Sequence, residues 1–133
     1  EQIQKKAEEK YIYFQVELPE KIICEHDKNW MCEALYNVFD NAVKYSKNNS
    51  RINITMKQTE MFYKIQIRDY GIGIRDGEEN KIFQRFYRGE QARRQEGCGI
   101  GLYLSREIVL LQKGMMKAKQ MKPGLLIEVN LPV

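Results

Sequence analysis

The apolar positions of this chain change their period along its length, and each change marks an element. Tyr11-Ile12-Tyr13-Phe14-Gln15-Val16-Glu17-Leu18 is rich in β-formers and stops at Pro19, which predicts a strand. Lys21-Ile22-Ile23-Cys24-Glu25 predicts a second, short one. The period then becomes helical: Met31, Leu35, Val38, Ala42 and Tyr45 share one face, so an amphipathic helix is expected over roughly 28 to 46, with Asp27 as its N-cap. After the turn residues Lys47-Asn48-Asn49-Ser50, both Arg51–Lys57 and Phe62–Asp69 alternate with period two. Joined near Thr59-Glu60, they predict a hairpin with one buried face. Tyr70 to Ile100 reads as loop, broken by a short helix near Glu79–Tyr87. A helix over Leu102–Leu111 follows, then strands at Met115–Met121 and Leu125–Leu131. Between the last two, Pro123 and Gly124 occupy the central positions that suit a type II turn. The order β-β-α-β-β-loop-α-β-β predicts a two-layer α/β (α+β) sandwich, with helices on one face of a mixed, largely antiparallel sheet.

Composition narrows this picture. A chain of 133 residues, 43% hydrophobic and 30% charged, is one ordinary globular domain with room for a core. Residues 1–10 are polar and helix-prone with almost nothing to bury, and are expected to be the end of an upstream helix or a linker; the folded domain is expected over 11–133. A net charge of +4 is too mild to argue a nucleic-acid partner, and no apolar run approaches the length of a membrane span. Cys24, Cys32 and Cys98 lack metal-ligand or disulfide spacing and suit a reducing compartment. Some thirty residues of weak structure from Tyr70 to Ile100, inside a compact domain, point to a mobile lid at about 75–98.

Four segments carry candidate chemistry. Asn37, Asn41 and Lys44 follow the helical rule and form a polar stripe beside the apolar one. Asn is a poor interior helix residue, so two of them one turn apart, followed by Lys, suit presentation of amide oxygens and a cation to a magnesium-bound polyphosphate. A merely solvated face is the alternative. Asp69-Tyr70-Gly71-Ile72-Gly73-Ile74 leaves a strand through two glycines that let backbone approach a ligand, with the Asp69 carboxylate as acceptor; such a sequence also occurs in plain turns. Ile82–Arg88 holds Phe83 and Phe86, which suit a core, and Arg85 and Arg88, whose planar forks suit a terminal phosphate. Gly97-Cys98-Gly99-Ile100-Gly101-Leu102 opens a helix with three alternating glycines, a phosphate cradle at the positive end of a helix dipole or simply a hinge.

In this order and spacing the four segments closely resemble the ATP-binding catalytic domain of sensor histidine kinases. These belong to the wider group shared with gyrase-type, mismatch-repair and chaperone ATPases and with anti-sigma-factor kinases. The polar stripe from Asn37 to Ser46 looks like the N box, Asp69–Ile74 the G1 box, Ile82–Arg88 the F box and Gly97–Leu102 the G2 box. The resemblance covers roughly residues 10 to 133 and implies a Bergerat-type ATP-binding fold. It implies ATP and Mg²⁺ as cofactors, with Asn41 on the metal, Asn37 and Lys44 at the phosphates, and Tyr45 against the adenine. Asp69 would accept from the adenine amino group. Gly71 and Gly73 would line the base pocket, Gly97, Gly99 and Gly101 would wrap the triphosphate, and Ile74, Phe83, Ile100 and Leu102 would also belong to the nucleotide site. Arg85 or Arg88 would reach the γ-phosphate, and catalysis would rest on these arginines with Asn37 and Lys44.

The chain departs from the family pattern after the second helix, where Leu110-Leu111-Gln112-Lys113-Gly114-Met115 lacks the usual His-Gly-Gly. It also lacks an acceptor: the single histidine, His26, has no following motif of the phosphoacceptor kind. The resemblance therefore implies a histidine-bearing dimerisation domain of the same protein as substrate, a response regulator downstream, and a cytoplasmic position in a membrane-anchored bacterial sensor kinase. The isolated domain is expected to be monomeric. An anti-sigma-factor-type serine kinase is the alternative. An ATP-hydrolysing clamp ranks below both, because relatives place a Glu base where this chain has Asn37, and an amide cannot act as that base.

Overall fold

The alternating segments pair as their pattern predicts. The computed structural model describes residues 7–17, 28–74, 77–79, 81–84 and 101–132, with backbone alone at 28–30. Its five strands are β1 (Tyr13–Glu17), β2 (Arg51–Gln58), β3 (Phe62–Asp69), β4 (Met115–Gln120) and β5 (Leu125–Pro132). They form one sheet in the order β1-β2-β3-β5-β4. Only the β1–β2 pairing is parallel. In the β2–β3 hairpin Ile54 stands opposite Ile67, and on β5 Ile127 continues the row. The hairpin turn is closed by Thr59, whose N–H donates to the Phe62 carbonyl at 2.8 Å and whose Oγ1 accepts from the Phe62 N–H at 3.0 Å.

One face of the sheet is apolar apart from Asp69 at the end of β3. Ile52 and Ile54, Tyr63, Ile65 and Ile67, and Ile127, Val129 and Leu131 are buried there. Two helices cover it, α1 (Lys28–Tyr45) and α2 (Gly101–Leu111). Met31, Ala34, Val38 and Ala42 of α1, with Ile108 and Val109 of α2, complete the core. Fully burying a large apolar side chain contributes about 1.5–3 kcal/mol, so this stripe fixes the rotation of α1 about its axis. At 100° per residue, a helix that buries Val38 and Ala42 must carry Asn37, Asn41 and Lys44 along its flank. Ser105 pins the helices together: its hydroxyl, fully buried, donates to the Ala34 carbonyl at 2.7 Å.

The opposite face is polar. Gln66 and Asn130 both donate to the Glu128 carboxylate, at 2.9 and 3.1 Å. At the end of the sheet the Tyr70 ring lies between the guanidinium groups of Arg51 and Arg68, 4.4 and 4.2 Å from its centre, and its hydroxyl accepts from Asn53 at 2.8 Å.

Several local expectations change. β1 begins at Tyr13 rather than Tyr11, because Tyr11 takes a left-handed conformation (φ 56°) that ends a preceding helical turn at residues 7–9. Ala7, in that turn, is buried in the core. The short helix expected near 79–87 is a 3-10 turn over Lys81–Phe83, with 85–87 outside the described residues. In the β4–β5 connection the Met121 N–H donates to the Gly124 carbonyl at 2.9 Å, so Lys122 and Pro123, joined by a cis peptide, are the central residues in place of Pro123 and Gly124. The strand expected at 21–25, His26, the N-cap Asp27 and most of the lid at 75–98 lie outside the described residues.

Candidate functional site

The candidate residues gather at two places along α1. At its C-terminal end, β3 delivers Asp69 into a crowded backbone junction. The Asp69 carboxylate is 5% exposed. Oδ1 accepts from the Gly71 N–H at 3.0 Å and from the Leu125 N–H at 3.3 Å. Both donors arrive at the same oxygen, and Oδ2 has no partner among the described residues. Burial raises the carboxyl's pKa from 3.8 to about 6; the two backbone bonds and the nearby charge of Arg68 oppose that rise without overcoming it. At neutral pH the site thus holds an ionised, poorly solvated acceptor. Such a group gains most from a donor that shares its pocket.

Gly71 is dictated by this junction. A Cβ there would lie 2.0 Å from the Tyr45 carbonyl oxygen, and the neighbouring Ile72 N–H donates to that same carbonyl at 3.3 Å. Any side chain at 71 would push α1 and the glycine segment apart. From the other side Gly124, at φ +98°, sits so close to the segment that a Cβ would come 2.0 Å from the Asp69 carbonyl. Gly73 in turn lies against the Gly124 carbonyl. The junction is therefore backbone from three segments in close contact at Gly71, Gly73 and Gly124.

The second place lies two turns earlier on α1. Asn37 is half-buried and its Nδ2 is enclosed, with no hydrogen-bond partner among the described residues. A Cβ built on Gly101, the first residue of α2, would come 3.9 Å from Asn37 Cβ. Thus the polar stripe of α1 faces the glycine that opens α2. Asn41 and Lys44, both half-buried, continue the stripe toward Tyr45. From Asn37 to Tyr45 the helix rises about 12 Å, which suits a ligand with its recognition group at one end and its charge at the other. An enclosed, unpaired amide donor is costly unless a ligand oxygen satisfies it.

Other candidates are placed differently. Ile74 and Phe83 are buried among core side chains, with the Arg106 guanidinium 5.5 Å from the Phe83 ring centre. They support the pocket by packing. Leu102 is half-buried and packs on the core. Arg85, Arg88, Gly97, Gly99 and Ile100 lie outside the described residues. Among the described residues no cluster of three His, Cys, Asp or Glu could hold a metal. Sequence reasoning missed Gly124 and the Leu125 N–H at the Asp69 junction, and Ser105 between the helices. Pro123-Gly124 signalled only a turn.

Known proteins share this fold. Residues 26–133 match the family described as histidine kinase-, DNA gyrase B- and HSP90-like ATPases. The chain is 38% identical over 122 residues to the sensor protein kinase WalK of Staphylococcus aureus, covering 87% of this chain and 29% of that protein. It therefore spans less than a third of that curated relative. Among solved structures, a mycobacterial sensor histidine kinase, MprB, superposes with a TM-score of 0.83 at 30% identity, covering 98% of this chain and 92% of that one. The catalytic domain of histidine kinase ThkA shares the fold, with a TM-score of 0.86 at 22% identity and coverage of 98% and 86%. ThkA has also been solved in complex with the response regulator protein TrrA. The chain belongs to the histidine kinase-, DNA gyrase B- and HSP90-like ATPase family, and within it is an ATP-binding domain of the histidine kinase kind.

Proposed function

We propose that this domain binds Mg·ATP and delivers the γ-phosphoryl group to a histidine on a separate dimerisation domain of the same protein. The observation that carries the reading is the Asp69 carboxylate, buried and held through Oδ1 alone, at one end of a helix whose other functional residue is an unpaired amide. Oδ2 accepts from the adenine amino group, which selects ATP over GTP. Tyr45 lies against the base, over the backbone floor of Gly71 and Gly73. Asn37, whose enclosed Nδ2 has no partner among the described residues, donates to a phosphate oxygen. Asn41, on the same flank, offers the amide oxygen that holds Mg²⁺. Once bound, the metal neutralises charge on the phosphates. Lys44 adds a cation, and Gly101 with Gly97, Gly99, Ile100 and Leu102 surrounds the phosphates. Arg85 and Arg88 serve the γ-phosphate.

The protein's part in this chemistry is positioning and charge neutralisation. The bond from the γ-phosphorus to the bridging oxygen breaks, ADP leaves with that electron pair, and a P–N bond forms on the incoming imidazole, whose ring proton passes to solvent. By analogy with the relatives, the phosphoryl group then passes to a response regulator, and the domain sits on the cytoplasmic side of a membrane-anchored bacterial sensor kinase. No helix among the described residues is long and apolar enough to cross a membrane.

The purified domain, given γ-labelled ATP, is expected to bind it without labelling itself. With the histidine-bearing domain of the same protein added, label should appear there as an acid-labile, base-stable phosphoramidate. Strong self-labelling, or acid-stable phosphoserine on a partner, would overturn this reading in favour of a serine kinase of the anti-sigma-factor type.

A further inference from the structure

The last four carbonyls of a helix have no partner within it. In α1 each finds one, and the donors come from different parts of the chain. The Ala42 carbonyl accepts from the Ser46 hydroxyl at 2.6 Å. The Val43 carbonyl accepts from the Ser46 N–H at 3.3 Å and from Lys10 Nζ at 2.8 Å. The Lys44 carbonyl accepts from Lys10 Nζ at 3.1 Å, and the Tyr45 carbonyl from the Ile72 N–H. Beyond the helix end, the Ser46 carbonyl also accepts from Lys10 Nζ, at 2.5 Å. An ammonium has three N–H donors, and here all three are spent on one helix terminus. The positive charge also lies where the helix dipole favours it.

The backbone around Lys10 is built to hold it there. Residues 7–9 are helical and end in a turn in which the Ile12 N–H donates to the Ala7 carbonyl at 2.9 Å and the Tyr11 N–H to the Glu8 carbonyl at 3.1 Å, with Tyr11 left-handed. This is a Schellman-type termination. Ala7 is anchored in the core, and the Lys10 carbonyl accepts from the Asn49 N–H at 2.9 Å, just past α1.

We propose that Lys10 is a positioning residue of the nucleotide site, setting the C-terminal turn of α1 on which Lys44, Tyr45 and the floor under Gly71 depend. The inference rests on the nucleotide-binding reading above and adds to it a residue outside all four sequence boxes. The coupling is direct. Lys10 fixes the carbonyls on either side of Tyr45, and the Tyr45 carbonyl is the surface on which Gly71 and the Ile72 N–H rest. Releasing the lysine loosens the base end of the site and leaves the distant Asn37–Gly101 contact in place.

The test compares wild type with Lys10→Met, which keeps the aliphatic stem, and Lys10→Arg, which keeps charge and several donors. Two readouts are used: calorimetric binding of adenosine and of Mg·ADP, and amide hydrogen exchange at Ser46 and Ile72 without nucleotide. Lys10→Met is expected to bind adenosine and Mg·ADP more weakly by the same factor, about three- to thirtyfold, and to exchange faster at both amides. Lys10→Arg should recover most of each effect. Unchanged exchange and unchanged adenosine affinity in a folded Lys10→Met would overturn the inference. Exchange that rises at Ile72 in a protein whose wild type binds no adenine compound would uphold Lys10's role at this turn and overturn the nucleotide reading instead.

Discussion

The Leu125 N–H donates to Asp69 Oδ1 at 3.3 Å, across 56 residues of sequence. This single contact ties the start of β5 to the end of β3 and turns one oxygen of the carboxylate into a structural group. The other oxygen has no hydrogen-bond partner among the described residues. A carboxylate divided in this way bears a cost that the apo protein cannot recover.

That cost sets a pH signature. Because folding raises the Asp69 pKa from 3.8 to about 6, its contribution to stability is fully present below about pH 4 and is lost as pH rises through 6. The rise corresponds to about 3 kcal/mol. Asp69→Asn keeps the acceptor for both backbone donors and carries no charge. It should be more stable than wild type at pH 7 to 8 by up to about 3 kcal/mol, with the difference shrinking below pH 6 and gone near pH 4. Chemical denaturation of both proteins across that range measures it. A constant difference at every pH would show that Asp69 does not titrate as described.

Gly124→Ala tests the backbone junction. The new Cβ would meet the Asp69 carbonyl at 2.0 Å in a left-handed conformation, and a clash against backbone cannot be relieved by a side-chain rotation. A loss on the order of 2–4 kcal/mol is expected, together with weakened adenosine binding. Wild-type thermal stability in this variant would place the β4–β5 turn elsewhere.

Asn41→Ala separates the two ends of the site. Removing the amide oxygen should lower Mg·ATP affinity about tenfold or more and leave adenosine affinity unchanged, because the base end does not involve it. Equal loss for both ligands would mean that the substitution disturbs α1 as a whole.

Ser105→Ala removes the buried hydroxyl that links α2 to the Ala34 carbonyl. The lost hydrogen bond should cost about 1 kcal/mol and loosen the approach of Gly101 to Asn37, so phosphate-dependent affinity should fall more than adenosine affinity. Calorimetry with ADP and adenosine reads the ratio.

Much of this was legible in sequence where the information is local. The two hairpins follow from period-two alternation, and α1 from the spacing of Met31, Val38 and Ala42, which also dictates that Asn37, Asn41 and Lys44 share a flank. What was not legible is made by contacts between distant segments. Ser105 is an ordinary helical serine until Ala34, 71 residues away, is set against it. Pro123-Gly124 reads as a turn, and nothing local says that the turn closes on Asp69. Lys10 sits in a polar stretch whose composition suggests a tail; only the fold brings its ammonium to the carbonyls of α1, 33 to 36 residues away. Tyr11 conceals the start of β1 in the same way, since its β-forming side chain sits on a left-handed backbone.

The account stands most directly on the claim that Asp69 reads the amino group of adenine. Adenosine and purine riboside, which differ only by that amino group, should be compared by calorimetry at pH 7.5 on wild type and Asp69→Ala. Leaving the carboxylate unpaired costs about 1–3 kcal/mol, so wild type should bind purine riboside roughly one to two decades more weakly than adenosine. Asp69→Ala should bind the two alike. Wild type that does not distinguish them, or Asp69→Ala that distinguishes them as wild type does, would contradict the account.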